Sequence, residues 1–317
     1  MERIRGGWVN VPEHLKCKTD LKEMGLKPTG EAKAEVWNGH IWVKLYNISE
    51  TAPCKPATEK QLAAVEKART AQLAARTCSR CEGIISRKER LLQGICDYCR
   101  ESLFIEEISK NAFKLLRNWV DNKSKYLILD TEATGLDYDS EIVDIAVIDL
   151  DENVLFESLV KPVCPIPEEA TAIHGITNEM VENAPSWPEV WVHIQKILSV
   201  DKTILTYNAD YDFQMIRSNC ERHNQSYTLL KNFCVMQTYA EYVGSYSRYH
   251  RDFTWISLMD AAYDQDIRML GIGSHRAKAD CIVCARLIHR VAKRGVEKEL
   301  AKKCTVLSFK KDGVSAR

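Results

Sequence analysis

Four acidic residues and one histidine carry most of the chemistry this sequence could do. They stand in three short motifs: Asp130-Thr131-Glu132, Asn208-Ala209-Asp210-Tyr211-Asp212 and His275-Arg276-Ala277-Lys278-Ala279-Asp280. Two carboxylates ~4 Å apart repel by about 4 kcal/mol at an effective dielectric of 20. Divalent cations remove that cost, and a pair of them is common machinery for cutting phosphodiesters. Asp130 and Glu132 follow the apolar run 126–129, so on a strand both point to one face. Asp212 falls in the first turn of an expected helix, where the helix dipole alone would favour an acid. Asp210 fits a purely structural role better, as the expected N-cap. Five residues separate His275 from Asp280, which leaves them roughly 140° apart on a helix. His275 is therefore expected on the loop after Gly271-Ile272-Gly273-Ser274, with Asp280 on the helix proper. A histidine on a glycine-flanked loop suits a general base that closes over bound substrate.

Alternating strands and helices must position these groups. Short apolar runs predict strands near 126–129, 142–149, 154–160 and 203–207, the second and third joined by the turn Asp149-Leu150-Asp151-Glu152-Asn153. Helical patterns fill about 187–199, 210–223, 233–242 and 277–292. Such an order indicates an α/β fold, a mixed sheet with helices packed on it. Upstream, a helix over 59–76 opens on the capping box Thr58 and Gln61. Another over 103–120 reads as a linker or as packing against the following domain. Within 1–57, Asn38-Gly39 marks a hairpin and Leu21–Pro28 a helical turn. Beyond Ala292 the sequence is polar and basic and reads as a partly disordered tail.

The 317 residues make room for about two domains, and 45% hydrophobic content allows a sizeable core. No apolar run approaches the ~20 residues of a membrane span, and the N-terminus carries no apolar signal region. No membrane partner is expected, and a cytoplasmic location is the default. The net charge of +0 hides an asymmetry: residues 1–125 hold 23 basic and 16 acidic groups, residues 126–317 hold 21 and 28. A basic front half suits a polyanion and an acidic back half suits metal ions, although solvated surface would also account for both.

Of 12 cysteines, Cys78, Cys81, Cys96 and Cys99 form two CxxC pairs with 14 residues between them. Paired knuckles of this kind read as one structural Zn2+ site. Arg80, Arg87, Lys88, Arg90 and Arg100 surround it. Two readings stay open: a folding staple with a solvated basic loop, or a small module that holds a nucleic-acid backbone. Cys281 and Cys284 lie inside the last helix and read as core thiols.

Together, the three motifs resemble those of the DEDDh 3′–5′ exonucleases, the family of polymerase proofreading subunits and of several free-standing DNA and RNA exonucleases. Asp130-Thr131-Glu132 lies within D-T-E-x-T-G, Asn208-Ala209-x-Tyr211-Asp212 gives the second motif, and His275-x-Ala277-x-x-Asp280 the third. Ile173-His174-Gly175-Ile176-Thr177 stands where the family carries the same stretch. Tyr207 departs from the family, many members having His there. The resemblance covers about 124–293 and implies a ribonuclease H-like fold with a mixed five-stranded sheet. It implies that Asp130, Glu132, Asp212 and Asp280 hold two Mg2+ or Mn2+ ions and that His275 takes the water proton. The terminal nucleotide would meet Thr134, Leu136, His174, Gly175, Ile176 and Asn208, with Ile176 wedged against its base. The expected organisation is a basic segment of unassigned role (1–57), a helix with a zinc module and linker helix (58–120), the exonuclease domain (124–293) and a basic tail (294–317). DNA is the favoured substrate, because a zinc module and a basic front half suit DNA processing, with replication or repair proteins as partners. RNA trimming would use the same chemistry. An adaptor with a dead nuclease domain would have lost an acid, and all four acids and His275 are present.

Overall fold

A computed structural model of the chain describes residues 1–198, 201–228, 231–268 and 275–311. The chain forms two compact units, Met1–Cys96 and Asp97–Arg317. The division falls between Cys96 and Asp97 and not at the boundaries near 57 and 120 expected from the sequence.

The first unit contains strands β1 (Glu2–Ile4), β2 (Leu15–Cys17), β3 (Leu26–Pro28), β4 (Ala34–Trp37), β5 (Trp42–Asn47) and β6 (Thr51–Pro53), with helices α1 (Lys18–Glu23) and α2 (Glu59–Ala74). One sheet runs β1-β4-β5-β2, and β3 pairs separately with β6. The β4–β5 hairpin turns where Asn38-Gly39 predicted it. Gly39 has φ 99°, and Asn38 Oδ1 accepts from the amides of His40 and Ile41 at 2.9 and 2.8 Å. Ala34, Val36 and Leu45 face inward on Leu15 and Cys17. The expected helical turn over 21–28 is only partly present: α1 stops at Glu23, Gly25 turns left-handed at φ 72°, and Leu26–Pro28 is strand. Helix α2 carries the predicted capping box and buries no residue.

In the second unit, α3 (Asp97–Asp121) precedes strands β7 (Tyr126–Ala133), β8 (Ile142–Asp149) and β9 (Val154–Leu159). Helices α4 (Glu168–His174), α5 (Asn178–Val181) and α6 (Trp187–Ile197) follow, then β10 (Thr203–Thr206), α7 (Ala209–Arg222), β11 (Asn232–Cys234) and α8 (Val235–Val243). A small β12–β13 hairpin (Tyr246–Ser247, Asp252–Phe253), α9 (Leu258–Asp264) and α10 (Ala277–Lys311) complete it. The sheet order is β11-β10-β7-β8-β9, with β8 antiparallel to both its neighbours and β10 and β11 parallel to β7. This is the ribonuclease H-like arrangement. Residues 233–234, expected in a helix, belong instead to the fifth strand. Helix α10 runs to Lys311, past the tail expected after Ala292.

Period-2 alternation on β7 sorts the core into two layers. Leu127 and Leu129 pack with Trp187, Val190 and Ile194 of α6 and Met215 and Ile216 of α7. Tyr126 and Ile128 face the other way, toward Trp119 of α3, Tyr239 of α8 and Cys281, Cys284 and Ile288 of α10. The C-terminal half of α3 is thus a packing helix of this unit. Cys281 and Cys284 are core thiols, with 0% and 1% exposure.

Candidate active site

The second layer of β7 changes character as the strand ends. Tyr126 and Ile128 are buried, and the next two positions on the same face are Asp130 and Glu132. Asp280, in the first turn of α10, comes down on that face. Ligand atoms of Glu132, Asp280 and His275 all lie within 4.8 Å of one another. Asp212 approaches from α7 and is almost wholly buried. The backbone N–H and the hydroxyl of Thr131 donate to its Oδ1 at 3.1 and 2.8 Å. A single strand segment therefore supplies two acids on one face and, between them, the residue that fixes a third.

Burial and neighbouring acids raise the carboxyls of this site. Burial, then the charges of Asp212, Asp280, Glu132 and Asp144, push the Asp130 carboxyl well above its usual range. Glu132 is pushed up to about 8 by burial and by Asp280, Asp144 and Asp212, against the pull of Arg276. Burial raises Asp212 to about 7 despite its bonds from Thr131. Asp280 also rises through burial, with His275 pulling the other way, and its Oδ1 is buried without a hydrogen-bond partner. Crowded carboxyl oxygens, Asp280 Oδ1 among them without a donor, suit hard divalent ions such as Mg2+ or Mn2+. The residues fit the expected pair of ions.

His275 stands two residues before α10 in a left-handed conformation, φ 56°, and is exposed. It lies beside Glu132 and Asp280. The glycine-bearing segment Gly271-Ile272-Gly273-Ser274 is outside the described residues. Two residues that the motif reading did not single out hold this corner. Asp144 of β8 lies opposite Glu132 in the strand register, is 2% exposed, and accepts from Arg276 Nε at 2.8 Å. A lone acid inside the apolar run 142–148 was the available signal.

The expected nucleotide pocket is only partly assembled. Leu136 is 80% exposed on the loop after β7, and Thr134 fixes that loop by accepting from the Glu141 amide at 2.9 Å. Asn208 is the N-cap residue of α7, which places Asp210 inside the first turn and corrects its assignment as the cap. Gly175 has φ 71° and ends α4, and His174 Nδ1 accepts from the Ile176 amide at 3.0 Å. Ile176 does not wedge against a base: it is fully buried among Val143, Ile166 and Val181. Its apolar side chain gains more from that core than from an exposed turn, so it pins His174-Gly175 in place.

Elsewhere, the sulfurs of Cys78, Cys81, Cys96 and Cys99 gather within 4.8 Å. Cys81 Sγ and Cys96 Sγ are 3.9 Å apart. Four sulfurs held tetrahedrally by Zn2+ at ~2.3 Å would be about 3.8 Å apart. The backbone amides of Cys96 and Cys81 draw the Cys78 thiol down to about 6, toward the thiolate that binds metal.

The chain is similar to several known proteins. Uncharacterized exonuclease CP81 of Escherichia phage 186 is 37% identical over 185 residues, 56% of this chain and 93% of the relative. DNA polymerase III subunit epsilon of Aquifex aeolicus is 23% identical over 187 residues, 58% of this chain and 87% of the relative. A solved structure of exonuclease X in complex with 5′ overhanging duplex DNA, 26% identical, covers 54% of this chain and 93% of its own, with a TM-score of 0.41. The exonuclease family model matches residues 127–288, from β7 into α10 and across every acid of the site. With that match and this constellation of acids and histidine, the chain belongs to the DEDDh exonuclease family.

Proposed function

We propose that this protein is a metal-dependent 3′–5′ exonuclease that releases nucleoside 5′-monophosphates from DNA. The observation that carries the reading is the convergence of Glu132, Asp280 and His275 within 4.8 Å, beside Asp130 and the Thr131-anchored Asp212. Asp130, Glu132, Asp212 and Asp280 would hold two Mg2+ or Mn2+ ions. When bound, such ions supply the charge that makes water nucleophilic and stabilises the leaving oxygen. His275 accepts the proton of the attacking water as its oxygen bonds to phosphorus. The P–O3′ bond breaks, and the departing oxygen takes up a proton. Exposure leaves His275 free to pass its proton to solvent. Leu136 offers an apolar contact to the terminal base, while Thr134, Asn208 and the turn His174-Gly175 border the same end of β7.

The cysteine cluster would hold one structural Zn2+, whose role is to fold a stretch with little apolar core of its own. DNA is favoured because relatives include DNA polymerase III subunit epsilon proteins of Aquifex aeolicus and Rickettsia prowazekii. Partners that work in DNA replication or repair would follow from the same relatives.

End-labelled single-stranded DNA, duplex DNA and RNA, each incubated with Mg2+, test polarity and sugar together. The expected product from 3′-labelled DNA is labelled mononucleotide from the first time point. Preferential loss of RNA would move the substrate to RNA with the chemistry unchanged. Release from the 5′ end would overturn the reading.

A further inference from the structure

The outward face of the N-terminal sheet is built differently from an ordinary solvated surface. Along β4 and β5 the inward positions Ala34, Val36, Val43 and Leu45 form the core, so the outward ones are Glu35, Trp37, Trp42, Lys44 and, at the covered end of the face, Tyr46 at 8% exposure. Trp37 and Trp42 are cross-strand partners at the hairpin end, with ring centroids 5.5 Å apart. They remain 44% and 37% exposed. Arg3, from the neighbouring β1, sets its guanidinium 4.8 Å from the centre of the Trp42 ring. The row thus runs cation, indole, indole. Lys44 is exposed next to it, and the single acid of the face, Glu35, is engaged by Arg3 at 3.7 Å. Every element of this face belongs to the first unit.

We propose that this face binds single-stranded nucleic acid, its bases stacking on Trp37 and Trp42 and its phosphates meeting Arg3 and Lys44. Base–aromatic stacking tolerates any sequence because every base offers a π face, and flanking cations track the backbone. A duplex keeps its base faces stacked inside, so the occupant is single-stranded. The charges present complement phosphate. The proposal rests on the exonuclease reading in one respect, that nucleic acid is the substrate; the face would give that strand a second hold.

The test uses the full chain carrying Asp130→Asn, so that the probe survives, and follows anisotropy of a fluorescein-labelled 30-nucleotide DNA strand, the equivalent RNA, and a blunt duplex. Replacing both tryptophans (Trp37→Ala with Trp42→Ala) should weaken single-strand binding at least ~10-fold, given the strength of stacking per base. Trp37→Phe with Trp42→Phe should keep most of the affinity, and duplex binding should not change. Arg3→Gln with Lys44→Gln should flatten the salt dependence by about 1.4 log units per log unit, as expected for two phosphate contacts on a single strand. An unchanged affinity in the double-alanine variant, with circular dichroism and metal content intact, would overturn the proposal. So would equal losses for single strand and duplex. With Asp130 restored, the double-alanine variant should cut a trinucleotide normally and show a raised KM only on the 30-mer. Hydrolysis of neither substrate by the unaltered chain would remove the exonuclease reading and leave the binding result to stand or fall separately.

Discussion

At the scale of residues, burial first and neighbouring acids second make the charged form of the site costly. Glu132 at about 8 and Asp212 at about 7 stand above the ~4 of a carboxylate in an unfolded chain. Between those values the folded state holds more protons than the unfolded one, so stability falls as pH rises. With no divalent ion added, these acids are expected to cost stability increasingly as pH rises from about 5 through 8, and the raised Asp130 carries the loss higher still. Added Mg2+ should raise the melting temperature more at pH 8 than at pH 5, because bound cations replace the protons. Thermal melts across that range check it, and a metal-free stability that rises with pH would contradict it. The acids themselves were legible because two carboxylates at strand period are hard to explain otherwise. Asp144 was not, since a sequence does not show that position 144 lies opposite 132.

At the scale of elements, the junction of β8 with the start of α10 decides where His275 points. Sequence spacing put His275 off the helix and Asp280 on it, and α10 does begin at Ala277. What spacing could not give is the tether. Arg276 reaches back to buried Asp144 at 2.8 Å and holds the left-handed residue before it against the acids. Arg276→Ala should cost roughly 1–3 kcal/mol, less than a fully buried pair because the arginine is partly exposed. It should also lower turnover, by freeing His275, and urea unfolding with steady-state assays would measure both. Full turnover in that variant would remove the tether from the account. The strand β11 escaped the sequence reading for a related reason: three residues before a helix carry too few positions to display a period. Ile176 was misplaced because a motif match says nothing about which way a side chain packs.

At the scale of the whole molecule, the sequence divides by chemistry and the structure divides by contact, and the two do not coincide. Composition separates a basic front from an acidic back near residue 125, while the compact units meet at Cys96 and Asp97. The packing of Trp119 and Leu116 against the exonuclease core draws α3 into the second unit, and a helical period alone could not choose between linker and core. The cysteine cluster was fully legible, since paired CxxC spacing leaves few other uses. One tightly held Zn2+ per chain is expected by elemental analysis, and Cys78→Ser should lower it to none; a folded wild-type chain free of zinc would contradict the assignment. The proposed reaction needs the four acids acting together on a phosphodiester. The most direct measurement is Mg2+-dependent mononucleotide release from single-stranded DNA by the wild type and by Asp130→Asn, side by side. A loss of at least ~1,000-fold in the variant, with fold and zinc content retained, is the expected result, and undiminished release would contradict the central claim.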